Sequence, residues 1–214
     1  TQYQEIKSDF EDIIHFSGKE AKRKTLTVIK RYYLELDKVK GKEFIKENVL
    51  HDLALKYSFE TMKPLLLFVL LLKCDIAQFI QKKINLMFNN GKVDSLILLS
   101  DARKNYGDRR IVRFAVSYYL TVLGHFGVLS KKNSKYTWKQ RKLNCPDYLM
   151  REMILLYARV SSISEIELAK LKDEVAFSFL DLSYIEDVLR EYNSKDWVYQ
   201  KRLDSAKIIV KKKL

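Results

Sequence analysis

A run of nine apolar residues, 64–72, lies between Lys63 and Lys73. This run is too short to cross a membrane, which takes about 20 helical residues, so it is better explained as a helix buried in a protein core. Thr61 is expected to cap this helix, with Pro64 in its first turn, where the missing N–H of proline costs no hydrogen bond. We therefore expect the chain to fold around this helix and to have no membrane partner.

Residues that break helices are rare, with six glycines and two prolines among 214 residues. Apolar residues also recur at helical spacing along most of the chain, and the S-x-x-E patterns that begin at Ser164 and Ser183 are typical of helix capping boxes. We therefore expect a mainly α-helical fold. The predicted helices cover residues 2–16, 19–38, 42–56, 61–73, 75–89, 93–105, 108–124, 147–160, 164–172 and 184–193.

Positive charge is concentrated in one part of the chain, which has a formal net charge of +13. Residues 101–144 carry eleven basic and two acidic side chains, a net charge of +9, whereas residues 145–194 carry five basic and ten acidic ones, a net charge of −5. Like charges held close together repel, so this concentration favours a polyanionic partner. The alternative is a lysine-rich surface that only interacts with solvent. The acidic segment could dock a basic protein or the basic segment 19–46 of a second copy, or could orient the molecule on DNA by repulsion.

Two helices joined by a short turn are predicted at the centre of the basic segment. The first helix, over 93–105, is expected to end at Gly107, and Asp108 is expected to cap the second helix, over 108–124. The side chains of the first helix that are expected to face the core are Leu96, Ile97 and Leu99.

Two β-hairpins are also predicted. Residues 128–130 and 135–139 alternate as strands do, around a polar turn at 131–134, and they form a basic hairpin directly after the helix pair. Near the carboxy terminus, residues 197–202 and 207–211 have the same strand-turn-strand pattern and follow a short helix.

The second helix of the pair has an outward stripe of polar residues, because Arg109, Arg113, Ser117 and Thr121 are spaced four apart and Arg110 lies beside them. Arginine can bridge guanine O6 and N7 or fork onto a phosphate, and small hydroxyl groups let a helix approach closely. Three arginines at the positive end of a helix dipole repel it, unless an anion docks there. The apolar residues expected to face the core are Ile111, Phe114, Ala115, Val116, Tyr118, Tyr119, Val122 and Leu123.

The helix-turn-helix that ends in LTVLGHFGVL, followed by the basic hairpin SKKNSKYTWKQRKL, resembles the winged helix-turn-helix of many DNA-binding proteins. The resemblance covers about residues 93–142. It implies that helix 108–125 enters the major groove and that the wing, 128–142, contacts the backbone or the minor groove. The residues expected to bind double-stranded DNA are Arg103, Lys104, Arg109, Arg110, Arg113, Ser117, Lys131, Lys132, Lys135 and Lys139.

The whole chain is also similar to the BrxA family of bacterial BREX phage-defence systems. The likeness lies in its length, its basic helical character and the leucine-rich helix ahead of the winged unit. It implies a helical DNA-binding component of a multi-component complex, with other proteins as partners.

The predicted fold is a mainly α-helical one with three domains. Residues 1–74 are expected to form a helical bundle and residues 75–144 the central winged helix-turn-helix. Residues 145–214 are expected to form a small helical unit that ends in a β-hairpin.

The sequence gives little support for catalysis, a metal site or a cofactor. His15, His51 and His125 lie far apart without metal-ligand spacing, and the sequence has neither a G-x-G-x-x-G nor a Walker pattern. Cys74 and Cys145 are isolated thiols, which favours a reducing, cytoplasmic location. We therefore expect non-catalytic DNA binding. The alternatives are a protein–protein adaptor on a winged-helix scaffold, a transcriptional regulator, or an RNA-binding protein.

Overall fold

The structure, a computed structural model, describes residues 18–34, 49–88, 91–133, 135–139, 142–203 and 205–211. These residues are mostly helical and include two small three-stranded sheets, which confirms the mainly α-helical fold class. The chain divides into two compact units, Thr1–Tyr57 and Ser58–Leu214. The three-domain division expected from the sequence stays a prediction.

The first unit contains helix α1, Lys19–Ile29, which continues as a π-helical turn over Lys30–Leu34, and helix α2, Val49–Lys56. Two of the predicted helices are thus confirmed in their described parts. The predicted helix 2–16 lies outside the described residues.

The apolar run forms most of helix α3, Phe59–Lys73, at the start of the second unit. The helix is a core helix, as predicted, and its fully buried residues include Leu65, Phe68 and Leu71. The predicted cap is wrong: Ser58 caps the helix, and its hydroxyl oxygen accepts a hydrogen bond from the N–H of Thr61. Pro64 consequently lies beyond the first turn, because the helix begins before the predicted cap.

A helix–sheet unit follows α3. Its sheet is antiparallel with the strand order β1-β3-β2, in which Val93 lies opposite Tyr136 and Lys132 lies opposite Lys135. The predicted basic hairpin is confirmed as β2 and β3, whereas β1 was not predicted. The elements of the unit are α4, Asp75–Met87; β1, Lys92–Val93; α5, Ser95–Tyr106; α6, Arg110–His125; β2, Leu129–Lys132; and β3, Lys135–Trp138.

Strand β1 exists because helix α5 starts later than expected. The carboxylate of Asp94 accepts hydrogen bonds from the N–H groups of Leu96 and Ile97, at 2.8 and 3.2 Å, and so caps the helix. The residues before Asp94 stay extended and pair with β3. The strand therefore ties the base of the hairpin to the start of α5.

The turn between α5 and α6 includes Gly107, whose φ of 82° favours glycine. The predicted role of Asp108 as a cap is wrong, because α6 begins at Arg110 with Arg109 at the capping position. The carboxylate of Asp108 instead pairs with Arg103, with Oδ1 2.9 Å from Nε.

Several apolar residues of α5 and α6 that the sequence places in the core are exposed. Leu96 and Ile97 were expected in the core and are exposed, while Leu98 and Ala102 are buried. Similarly, Ile111, Phe114 and Tyr118 were expected in the core and are exposed. One stripe of α6 is enough to pack against α4 and α5, so the remaining apolar residues lie on the outer face. The residues of α6 that are buried are Val112, Val116, Tyr119, Leu120 and Leu123.

In the carboxy-terminal part, the second predicted hairpin is confirmed, but neither predicted capping box begins a helix where the sequence indicated. The helix predicted over 164–172 begins only at Leu168, because the preceding residues form a strand in a sheet of order β4-β6-β5. The helix predicted from Ser183 has Tyr184 at its capping position. The elements here are α7, Asp147–Ser161; β4, Glu165–Glu167; α8, Leu168–Asp173; a 3₁₀ turn, Val175–Phe177; α9, Ile185–Glu191; β5, Trp197–Lys201; and β6, Ala206–Val210.

Helix α3 joins these two parts of the second unit. It packs against α4 on one side and against α7 and the 3₁₀ turn on another, where the rings of Phe68 and Phe177 lie 4.9 Å apart. The core therefore sits around the apolar run that the sequence pointed to.

Candidate nucleic-acid interface

The outward face of α6 carries two parallel stripes of side chains spaced four residues apart. Arg113, Ser117 and Thr121 form the first stripe, and all three are exposed. The hydroxyl of Thr121 donates a hydrogen bond to the carbonyl oxygen of Ser117 at 3.0 Å, which keeps this short side chain close to the helix. In the described part of the chain, no carboxylate pairs with Arg113. The first stripe therefore consists of one unpaired cation followed by two short hydroxyl side chains.

The second stripe is formed by Arg110, Phe114 and Tyr118. The guanidinium carbon of Arg110 lies 5.1 Å from the centroid of the Phe114 ring. The rings of Phe114 and Tyr118 are stacked, with centroids 5.8 Å apart and an interplanar angle of 16°. A cation over an aromatic face and a stacked ring pair are both favourable, so the three side chains form an ordered column on the surface. We call Arg110, Phe114 and Tyr118 the aromatic column.

Two of the arginines expected at the interface are engaged within the turn. Arg103 pairs with Asp108. Arg109 donates from Nε and Nη2 to the carbonyl oxygen of Tyr106, at 3.2 and 2.9 Å. That carbonyl belongs to the last turn of α5, where the negative end of the helix dipole favours a cation. This contact offsets part of the repulsion between Arg109 and the positive end of α6.

The amino terminus of α6 lacks a capping side chain and has no acidic residue in its first turn. The N–H groups of its first turn have no side-chain acceptor, and Asp108, the acidic residue just before the helix, is paired with Arg103. Arg110 and Arg113 add two further positive charges to this helix end. Such an end is suited to a phosphate.

The hairpin presents four exposed lysines. Lys132 and Lys135 lie directly opposite each other next to the turn, where like charges destabilise a strand pair. The ammonium group of Lys131 lies 5.5 Å from the centroid of the Tyr136 ring. No carboxylate of the described residues pairs with these lysines. The exposed lysines of the hairpin are Lys131, Lys132, Lys135 and Lys139.

The aromatic residues of the hairpin are packing residues. Tyr136 is buried, and Trp138 packs edge-on against Phe88 with ring centroids 4.5 Å apart. These contacts do not test the RNA-binding alternative, which stays a prediction. Beyond β3, Lys142 donates to the carbonyl oxygen of Ser178, and burial lowers the pKa of its ammonium group. The segment after the hairpin is therefore anchored to the carboxy-terminal part.

Charge balance differs between the interface and the rest of the second unit. The sequence has no Asp or Glu from residue 109 to residue 146. In the carboxy-terminal part, by contrast, acidic and basic groups pair with each other: Glu186 with Lys201 at 2.6 Å, and Glu165 with Lys207 at 2.7 Å. Hydrogen bonding to Lys201 lowers the pKa of the Glu186 carboxyl. The stretch that forms α6 and the hairpin therefore carries positive charge with no acidic residue of its own to neutralise it.

Of the ten residues expected to bind DNA, the structure brings Arg110, Arg113 and Ser117 onto one face of α6 and the lysines onto the adjoining hairpin. Lys104 is exposed near the end of α5. The aromatic column was missed because Phe114 and Tyr118 match the apolar period of the helix as well as the buried residues do.

Among the described residues, no group of three or more His, Cys, Asp or Glu side chains could hold a metal ion. None of the described helices is by itself long and apolar enough to cross a membrane, and α3 with α4 meets the length and composition only as a pair bent by 110°. His125 is exposed, and His15 lies outside the described residues.

Comparison of the chain with protein-family models, with curated proteins and with solved structures returned no match. The resemblances to winged helix-turn-helix proteins and to the BrxA family therefore rest on the residues named above and stay predictions.

Proposed function

We propose that α4 to β3 form a winged helix-turn-helix and that this unit binds double-stranded DNA without catalysis. The observation that carries the proposal is that the exposed cations of α6 and of the hairpin that follows it have no carboxylate partner among the described residues, in a stretch of sequence without any carboxylate. The short turn between α5 and α6 and the hairpin directly after α6 support the same proposal. Strand β1 adds a fixed base from which the hairpin can project.

The two parts of the surface have different roles in this proposal. A helix about 10–12 Å across fits the major groove, which is about 12 Å wide. Helix α6 enters it with the stripe of Arg113, Ser117 and Thr121, and its amino terminus faces a phosphate. The lysines of the hairpin hold the adjacent backbone. Arg103 and Arg109 act indirectly in this arrangement, since they brace the turn that sets the angle between α5 and α6.

The cellular role that we propose is that of a DNA-binding component of a phage-defence complex, with transcriptional regulation as the alternative. A protein–protein adaptor is a second candidate, and the exposed apolar residues Ile111 and Tyr118 favour it. The adaptor would use the same basic face to dock an acidic protein.

Charge reversal at two positions tests the DNA-binding proposal. Arg113→Glu is expected to weaken binding to a mixed-sequence duplex at least tenfold, and Lys132→Glu about three- to tenfold, because each removes a phosphate or base contact and adds a repulsion. Fluorescence anisotropy at fixed salt measures both. Lys172→Glu is the matched control: it changes the net charge by the same amount, and Lys172 is an exposed residue of α8.

The control is expected to change affinity less than about twofold, because Lys172 lies in α8, outside the proposed interface. All three side chains are exposed, so circular dichroism is expected to show unchanged folding. If all three variants bind the duplex as tightly as the parent, α6 and the hairpin do not contact DNA. If Lys172→Glu weakens binding as much as Arg113→Glu, only the net charge matters and the groove assignment is wrong.

A further inference from the structure

The exposed face of α6 includes three large apolar side chains beside its arginines. Ile111 is 70% exposed, Phe114 38% and Tyr118 65%. The buried stripe of the same helix makes its contacts with α4 and α5, and these three residues lie outside that core. Apolar groups clustered on a face that also carries unpaired cations indicate a partner with both negative charge and exposed apolar groups.

The major groove of DNA has both features. Phosphates supply the negative charge, and the C5-methyl group of thymine is the apolar group on the edge of a base pair. Each base edge is read by particular side chains: arginine for guanine, asparagine or glutamine for adenine, carboxylates for cytosine, and apolar groups for the thymine methyl. Helix α6 contains arginines and apolar residues on its outer face. It contains no Asn, Gln, Asp or Glu at all.

We propose that α6 recognises the C5-methyl groups of pyrimidines in the major groove through Ile111, Phe114 and Tyr118. The inference rests on the proposed DNA binding and adds the chemical group that is read. Thymine carries this methyl group in ordinary DNA, and 5-methylcytosine carries the same group at the same place on the groove edge.

The aromatic column is suited to this role because its side chains contact one another in the absence of DNA. Arg110 lies over one face of Phe114, and Tyr118 is stacked along the same stripe. Little side-chain freedom is therefore lost on binding, which reduces the entropic cost of the contact. Ile111 lies three residues before Phe114 and seven before Tyr118 on the same helix, so it extends the apolar surface of the column.

The test removes only the methyl group. Two duplexes of the same mixed sequence are compared by anisotropy, one with thymine and one with deoxyuridine at every thymine position. Burying one methyl group favours binding about fourfold, so two contacts predict about 15-fold weaker binding to the deoxyuridine duplex. In a second pair of duplexes, 5-methylcytosine replaces cytosine at every position. If the 5-methylcytosine duplex binds more tightly than the cytosine duplex, the methyl group is recognised on either base. If the two bind equally, it is recognised on thymine alone.

Serine variants locate the contact. Ile111→Ser and Tyr118→Ser are expected to lose most of the preference for the thymine duplex over the deoxyuridine duplex. Leu86→Ser is the matched control, because Leu86 is 76% exposed and lies on α4. It is expected to keep the full preference.

Two outcomes overturn the inference and are distinguishable. Salt-dependent binding with equal affinity for thymine and deoxyuridine duplexes contradicts methyl recognition and leaves the proposed DNA binding standing. Salt-independent or undetectable binding of the parent to every duplex contradicts both, and it would favour an acidic protein as the partner of this face.

Discussion

The hydrogen bond between Tyr119 and Gln81 is expected to hold the interface helix in place. The hydroxyl of Tyr119 on α6 donates to Oε1 of Gln81 on α4 at 2.7 Å, and both side chains are buried. Gln81 also donates from Nε2 to Oδ1 of Asn85 at 2.8 Å. Among the described residues, the bond between Tyr119 and Gln81 is the one polar contact between the buried sides of α4 and α6. Its loss therefore measures how much this contact stabilises the packing of α6 on α4.

The substitution Tyr119→Phe removes this bond and leaves no cavity, because the ring remains. The carbonyl of Gln81 then stays buried without its partner, which costs about 1–3 kcal/mol. A value near 2 kcal/mol lowers the folding equilibrium constant about 30-fold. For a unit of this size it also lowers Tm by about 4–8 °C. The assay is urea denaturation followed by circular dichroism, in which the midpoint is expected to fall while the slope stays constant.

A double-mutant cycle separates the bond from its surroundings. Gln81→Leu alone leaves the Tyr119 hydroxyl buried and unpaired, whereas Gln81→Leu with Tyr119→Phe replaces both partners by apolar groups. We expect the double variant to be at least about 1 kcal/mol more stable than the sum of the single effects predicts. A Tyr119→Phe variant as stable as the parent, or strictly additive effects, would refute the reasoning.

Two substitutions elsewhere test the turn and the buried thiol. Gly107→Ala is expected to cost about 1–3 kcal/mol of unfolding free energy in urea, because Gly107 has a φ of 82° and a ψ of 159°, a region that only glycine adopts readily; a change below about 0.5 kcal/mol would contradict this. Burial raises the pKa of the Cys145 thiol to about 12 from its ordinary value of 9.0. The thiol ionises at a lower pH in the unfolded chain than in the folded one. Its contribution to the free energy of unfolding is therefore fully present below pH 9, and stability falls by about 1.4 kcal/mol per pH unit as the pH rises towards 12. Cys145→Ala is expected to show a shallower loss of stability than the parent in urea denaturation between pH 9 and pH 10, and equal slopes would count against a buried thiol.

Local features of the sequence predicted the parts of the fold that depend on local structure. The apolar run between Lys63 and Lys73 is a core helix, and Gly107 lies in the turn between the two central helices. Both hairpins are present because alternating residues around a polar turn encode a hairpin locally.

The short strands were not predictable in the same way. Strands β1 and β4 have two and three residues, too few to show alternation, and they exist because β3 and β6 supply pairing partners far along the chain. The S-x-x-E pattern at Ser164 failed for this reason: pairing with β6 outweighs the local preference for a helix start. Tertiary contacts decide such cases.

The candidate site was predictable in its composition but less so in its geometry. Lysines of a hairpin are almost always exposed, so the sequence located them well. The pairing of Arg103 with Asp108 and the bond from Arg109 to a backbone carbonyl depend on how the turn closes, which spacing does not reveal. The outward position of Ile111 and Tyr118 depends on which stripe of α6 its neighbours cover.

The salt dependence of duplex binding tests the central claim most directly. Six cations of α6 and the hairpin have no carboxylate partner among the described residues: Arg110, Arg113, Lys131, Lys132, Lys135 and Lys139. If all six contact phosphates, a plot of the logarithm of the binding constant against the logarithm of the salt concentration has a slope of about −5. A slope near zero, or equal binding at low and high salt, would contradict the claim that this surface is built for DNA.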